Sequence, residues 1–143
     1  MAVRGIAGHL NEAAKAADTY IEAYQGQSFA TAEELTQVIR QYIVIKLQLP
    51  QEEVSDNITK MVRCSISKAT GIPVEQLKEM DRPGACGSAP AVLAKRILLF
   101  LDIQTKLGVR MPPDHAGNIQ TVQDLAEELL PLLGLRDQIG STL

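Results

Sequence analysis

A chain of 143 residues with a net charge of −3 is long enough to bury a real core as one domain, and so mild a charge argues against nucleic acid as its main partner. Aromatic residues make up only 3% of it and tryptophan is absent, so the core must be built from Leu, Ile, Val and Ala, a composition that favours helix over sheet. Its two cysteines, Cys64 and Cys86, form no metal-binding pattern and are too few for a disulfide framework. With no long apolar run in the opening MAVRGIAGHL, no secretory signal is expected and a reducing, cytoplasmic setting is the default. The charge is unevenly spread: residues 1–58 carry four Lys/Arg against eight Asp/Glu, and residues 59–143 carry ten against nine.

In chain order, Leu10, Ala14, Ala17, Ile21 and Tyr24 recur at helical spacing with Glu12, Lys15, Asp18 and Glu22 on the other side. That predicts an amphipathic helix whose alanine-rich stripe lies close against a neighbour. Residues 25–28 break it. Thr31 and Glu34 then form a capping box, N-cap and N3 side chains each taking the other's backbone donor. Leu35, Val38, Tyr42, Ile45 and Leu49 make the stripe of a second helix, which Pro50 is expected to end through its effect on the residue before it. A third helix is predicted over 58–69 on Ile58, Met61, Val62, Ile66 and Ala69, stopped by Gly71 in a left-handed cap. An irregular loop over 80–87 follows, built on Pro83, Gly84 and Gly87.

Residues 89–107, APAVLAKRILLFLDIQTKL, read as the organising helix of the chain. Ser88 can cap it, and Pro90 sits in its first turn, where no donor is missed. Apolar residues occupy most of its girth and leave a thin polar stripe at Lys95, Asp102 and Lys106. Such a helix must be enclosed by others, with Leu93, Ile97 and Phe100 fully buried. Its charges and its length exclude a membrane span. A second loop over 108–120 holds Pro112, Pro113 and Gly117. The last helix opens at Thr121 with Asp124 placed to reach back, presents Val122, Leu125, Leu129 and Leu133, and is limited by Pro131 and Gly134. The tail over 136–143 is expected to fray. One internal echo stands out: residues 39–54 lie on residues 62–77 at a fixed offset of 23, with Arg40/Arg63, Ile43/Ile66, Pro50/Pro73 and Glu52/Glu75 identical. Two copies do not establish a repeat array; any helix ending in Pro-x-Glu with a short turn after it looks alike.

Within 62–133, a helix ending in GlyIleProValGluGlnLeu is followed by a long loop and then a long helix ending in LysLeuGlyValArgMetProPro. AsnIleGlnThrValGlnAspLeu opens the final helix. This stretch resembles acyl carrier protein, most closely over 107–125. The resemblance covers about half the chain. It implies a four-helix bundle with a serine at the start of its second long helix that carries phosphopantetheine. The implied architecture is all-α: one domain over 1–143, with a carrier-like four-helix core over 59–135, an added N-terminal helical pair within 1–58, and the tail. The N-terminal pair is expected to pack on that core or on a second copy of the chain, as a homodimer.

The departures matter as much. Carriers hold their serine in Asp-Ser-Leu or a close relative, and no such string occurs here. Ser88 stands at the right topological place but inside CysGlySerAlaPro. Counting back without gaps from the matched C-terminal part puts the serine position at Leu93. A carrier's second helix also shows acidic residues to basic partner enzymes, whereas this one carries Lys95, Arg96 and Lys106 against a single Asp102. His9 and His115 are far apart in the chain and read as surface residues. Cys86, before a helix start, is the one candidate nucleophile, its thiolate favoured there by the helix dipole. The favoured expectation is a non-catalytic, acyl-carrier-related protein, without cofactor or metal, that works by binding a protein. The resemblance implies a peptide-modifying or acyl-processing enzyme as that partner. The alternatives are a carrier phosphopantetheinylated at Ser88 and, from another class, an enzyme using Cys86.

Overall fold

Six α-helices and two short 3₁₀ turns, with no strand, make up the described part of the chain. The computed structural model describes the backbone of residues 2–25, 27, 29–80 and 91–142, and the side chains of 12–79 (26 and 28 excepted) and 92–134. The protein is all-α, as its composition predicts.

Helix α1 (Ala2–Glu22) turns Ala17 and Ile21 fully inward. Beyond its end, Tyr24 stacks on Phe29 across the turn into α2 (Ala32–Leu47), with ring centroids 6.1 Å apart. The start of α2 is the predicted one: the Glu34 N–H donates to Thr31 Oγ1 at 3.3 Å. The return bond lands one residue early, with the Glu34 carboxylate accepting from the Ala30 N–H at 3.4 Å. The helix ends before Pro50 can act on it. Gln48 adopts φ 53°, and the N–H groups of Gln48 and Leu49 close back on the carbonyls of Ile45 and Val44 at 3.3 and 3.1 Å. That doubly bonded closure satisfies the last free carbonyls of a helix.

Helix α3 (Ile58–Thr70) is capped by Asn57, whose side chain accepts from the Lys60 N–H at 2.8 Å, and Gly71 ends it at φ 76° as predicted. A short helix, α4 (Val74–Met80), follows Pro73, where the sequence reading assigns no separate helix. The internal echo has a counterpart in this local structure. Gln48 and Gly71 are the left-handed residues, Pro50 and Pro73 follow two later, and helical turns open at Gln51 and Val74.

Helix α5 (Ala91–Leu107) closes through Gly108 at φ 73°, again with two N–H groups returning to carbonyls, Gly108 to Thr105 and Val109 to Gln104. The loop over 108–120 contains a 3₁₀ turn, Pro113–Asn118. Thr121 then caps α6 (Val122–Thr142), accepting from the Asp124 N–H at 3.0 Å while Asp124 accepts from the N–H groups of Thr121 and Gln120 at 3.2 Å each. Those backbone donors hold the Asp124 carboxyl below its usual range. The starts of α3 and α6 are laced together, Ile58 N–H to the Gln120 carbonyl at 3.0 Å and Val122 N–H to the Asp56 carbonyl at 2.8 Å.

Two expectations about α6 fail. The helix passes through Pro131 and Gly134 to Thr142, so neither residue limits it and the backbone of the tail is helical up to that point. A proline inside a helix costs about 3 kcal/mol or more. Burial of Leu125 and Leu129 before it and Leu133 after it offsets that locally unfavourable step.

Helix α2 packs chiefly on α1 and α6 and also touches α3, while α5 packs chiefly on α3 and α1. Leu35, Ile39, Tyr42 and Ile43 of α2 are completely buried and share one continuous core with Met61 and Val62 of α3, Ile103 of α5, and Val122, Leu125 and Leu129 of α6. The packing is therefore centred on α2 and not on the expected organising helix α5. The first helical pair supplies the middle of the core rather than a wrapping around it.

Candidate functional site

Helix α5 is buried along one side only. Val92, Leu99, Phe100, Ile103 and Leu107 point into the core, and Phe100 retains 3% exposure. Leu93 and Ile97, expected to be enclosed, are 45% and 46% exposed, and Leu98 and Leu101 are 62% and 52% exposed. An apolar girth on a helix calls for cover, and the described part of this chain covers only half of it.

The polar stripe explains the inversion. Lys95, Asp102 and Lys106, whose spacing predicts the solvent side of α5, lie along its seams with other helices. Lys95 donates to Ser65 Oγ of α3 at 3.0 Å. Asp102 pairs with Lys46 of α2, which also reaches the Tyr42 hydroxyl at 3.2 Å. Lys106 meets Asp18 and Glu22 of α1 at 3.5 and 3.7 Å. Burial pulls the Lys46 ammonium down, but its bonds to Asp102 and Tyr42 outweigh that and raise it. Burial, then the nearby Lys46 charge, lowers Lys95. These ties orient α5 about its own axis and leave the row Leu93, Ile97 and Leu101 facing outward. The cations that suggest a basic docking face are thus spent inside the molecule.

Beside that row runs a groove of about 620 Å³. Leu93, Ile97 and Leu101 form one wall, Pro113, Ala116 and Gly117 of the 3₁₀ turn form the other, and Phe100, Gln104 and Met111 lie between them. The second wall is held from three sides. Arg96 donates to the carbonyls of Ala116, at 3.0 Å, and Ile119, with its guanidinium over the Phe100 ring. Gln104 accepts from the Met111 N–H at 2.7 Å and donates to the Phe100 carbonyl at 3.1 Å. His115 pairs with Glu128 of α6. Burial lowers the Arg96 guanidinium.

The Glu128 hydrogen bond, with the charges of Glu128 and Asp114, raises the His115 imidazole above 6.5 against a weaker opposing effect of burial. A raised folded-state value means that the pair stabilises the fold fully below the unfolded value and is lost as pH rises through the folded one. The urea midpoint should therefore take a small downward step as pH is raised above about 6.5, and the step should be absent from His115→Asn and Glu128→Gln. A midpoint that is flat, or rises, in that window would show that the pair does not hold the wall.

The sequence candidates fare unequally. Ser88 and Cys86 lie outside the described residues, as do the side chain of His9 and the expected loop from 81 to 87, whose first expected residue, Met80, instead ends α4. His115 is a surface residue, as expected, and acts as a clasp on the groove wall. Among the described residues no cluster of His, Cys, Asp or Glu is arranged to hold a metal ion, and Cys64 is a half-buried free thiol. The Ser65–Lys95 pair, which sequence spacing does not reveal, has the composition of a nucleophile and base. Ser65 is only 8% exposed, however, and neither residue lines the groove, so the bond serves to join α3 to α5. No helix among the described residues is long and apolar enough to cross a membrane. The groove itself escapes sequence reading, because a helix awaiting cover from its own chain and one left uncovered share the same apolar pattern. No family model, no curated protein and no solved structure matches the chain.

Proposed function

We propose that this chain is a non-catalytic, acyl-carrier-related protein that works by binding another protein along α5. The observation that carries the reading is the outward row Leu93, Ile97 and Leu101 beside an apolar groove, on a helix whose charged residues are already engaged within the molecule. Contiguous exposed apolar surface of this kind marks interaction sites on soluble domains. The resemblance over 62–133 makes a peptide-modifying or acyl-processing enzyme the class of partner to look for.

A photo-crosslinking residue placed at position 97 in the native host should yield an adduct with a defined protein, and one placed at the exposed Lys60 of α3 should not. Adducts equal at both positions, or none at position 97, would sink the reading. A carrier modified at Ser88 is the second reading, favoured by the groove beginning at Leu93, five residues beyond that serine. Incubation with coenzyme A and a broad-specificity phosphopantetheinyl transferase decides between them. An unchanged mass is expected, and a gain of one phosphopantetheine that Ser88→Ala abolishes would make this a working carrier.

A further inference from the structure

We infer that the groove along α5 receives one face of a single amphipathic α-helix from the partner, about three turns long, with a carboxylate at the end that meets Arg110. The inference rests on the interaction reading above and adds the shape and charge of what binds.

The groove decides between a helix and an extended segment by what it lacks. Among the described residues, Arg96, Gln104 and Arg110 are its only polar lining side chains. Arg96 already serves the Ala116 and Ile119 carbonyls, and Gln104 is bonded to the backbone at Phe100 and Met111. An extended peptide laid here would leave its own N–H and C=O groups against apolar walls, each without a partner. A helix brings its backbone bonds with it. The wall geometry agrees. Leu93, Ile97 and Leu101 form an unbroken i, i+4, i+8 ridge, the kind of row that fits between the ridges of a second helix. The opposing residues Pro113, Ala116 and Gly117 have small or no side chains, which favours close approach. From Leu93 to Gln104 the helix rises about 16 Å, which sets three turns as the length of partner accommodated. A helix with apolar side chains at i, i+3 or i+4, and i+7 lays its face into such a groove.

Charge sets the polarity. Arg110 lines the groove, is exposed, and has no ion-pair partner among the described residues. The neighbouring carboxylate, Asp114, does not line the groove and acts on His115. A carboxylate on the partner meets a guanidinium that no described carboxylate opposes, and a lysine meets repulsion. An exposed pair of this kind governs choice of partner and rate of encounter more than affinity.

The test uses two display libraries of peptides about twelve residues long, one biased to helix and one to extended structure, selected against the full-length protein. The helical library should enrich sequences apolar at i, i+3 or i+4, and i+7 with Asp or Glu near one end. Ile97→Glu should weaken the selected peptide by about tenfold or more, and Arg110→Glu by roughly fivefold, shifting enrichment toward lysine. Both positions are exposed, so circular dichroism should be unchanged, and Leu98→Glu, outside the groove, should bind normally. Enrichment only from the extended library, enrichment of cationic ends by the unaltered protein, binding indifferent to Ile97→Glu, or no enrichment at all would each overturn the inference. So would sodium dodecanoate binding the unaltered protein but not Ile97→Glu with no peptide selected, an outcome that would assign the groove to a single-chain amphiphile. A protein adduct at position 97 alongside any of these failures would leave the interaction reading standing and remove only the helix.

Discussion

A chain shortened to begin at Asp56 should not fold to a cooperative monomer. The shortening removes Ile21 together with Leu35, Ile39, Tyr42 and Ile43, every one of them fully buried. It also uncovers the face of α6 that packs on α2. Burying a large aliphatic or aromatic side chain contributes about 1.5–3 kcal/mol. Five such losses are comparable to the whole stability of a typical domain, about 5–15 kcal/mol. The helices left behind would expose Val122, Leu125 and Leu129, and aggregation is the expected result. Circular dichroism, a thermal melt and sedimentation check it. A shortened protein that stays monomeric and melts with the full chain would mean that α1 and α2 are an appendage and that the core has been assigned wrongly.

Phe100→Ala should destabilise the protein by about 3–5 kcal/mol, whereas Leu98→Ala, two residues earlier on the same helix, should change stability by no more than about 0.5 kcal/mol. Phe100 is buried against the core with the Arg96 guanidinium 5.3 Å from its ring centroid. Its removal opens a cavity and takes away a support of the groove floor. Leu98 lies on the solvent side, outside the groove. Urea denaturation of the two variants against the unaltered chain measures the contrast. Equal losses would show that α5 is enclosed on both sides and that no groove exists. A negligible loss at Phe100 would show that α5 contributes little to the core.

Much of the helical framework was legible because its signals are local. The stripes 17/21 and 122/125/129/133, the caps at Thr31 and Thr121 and the stop at Gly71 each depend on residues within a turn or two, where hydrogen-bond geometry leaves few alternatives. Local rules failed where long-range packing outweighed them. Pro131 and Gly134 read as stops, yet α6 continues because leucines on both sides of them are buried. Gln48 in a left-handed conformation ends α2 without glycine, its closure fixed by two backbone hydrogen bonds and followed by the buried Leu49.

The sequence by itself determined that the chain is all-α, where most helices begin, and which residues are apolar enough to need burial. Periodicity carries that information, since the angle between successive residues on a helix is constant. Only the tertiary structure decided which apolar face finds cover. Lys95, Asp102 and Lys106 form a stripe that sequence assigns to water, and their bonds to α3, α2 and α1 rotate α5 so that Leu93, Ile97 and Leu101 point outward instead. Those bonds join residues up to 88 positions apart, and no local pattern records such a pairing. The orientation of α5, and with it the groove, follows from contacts that exist only once the chain has folded.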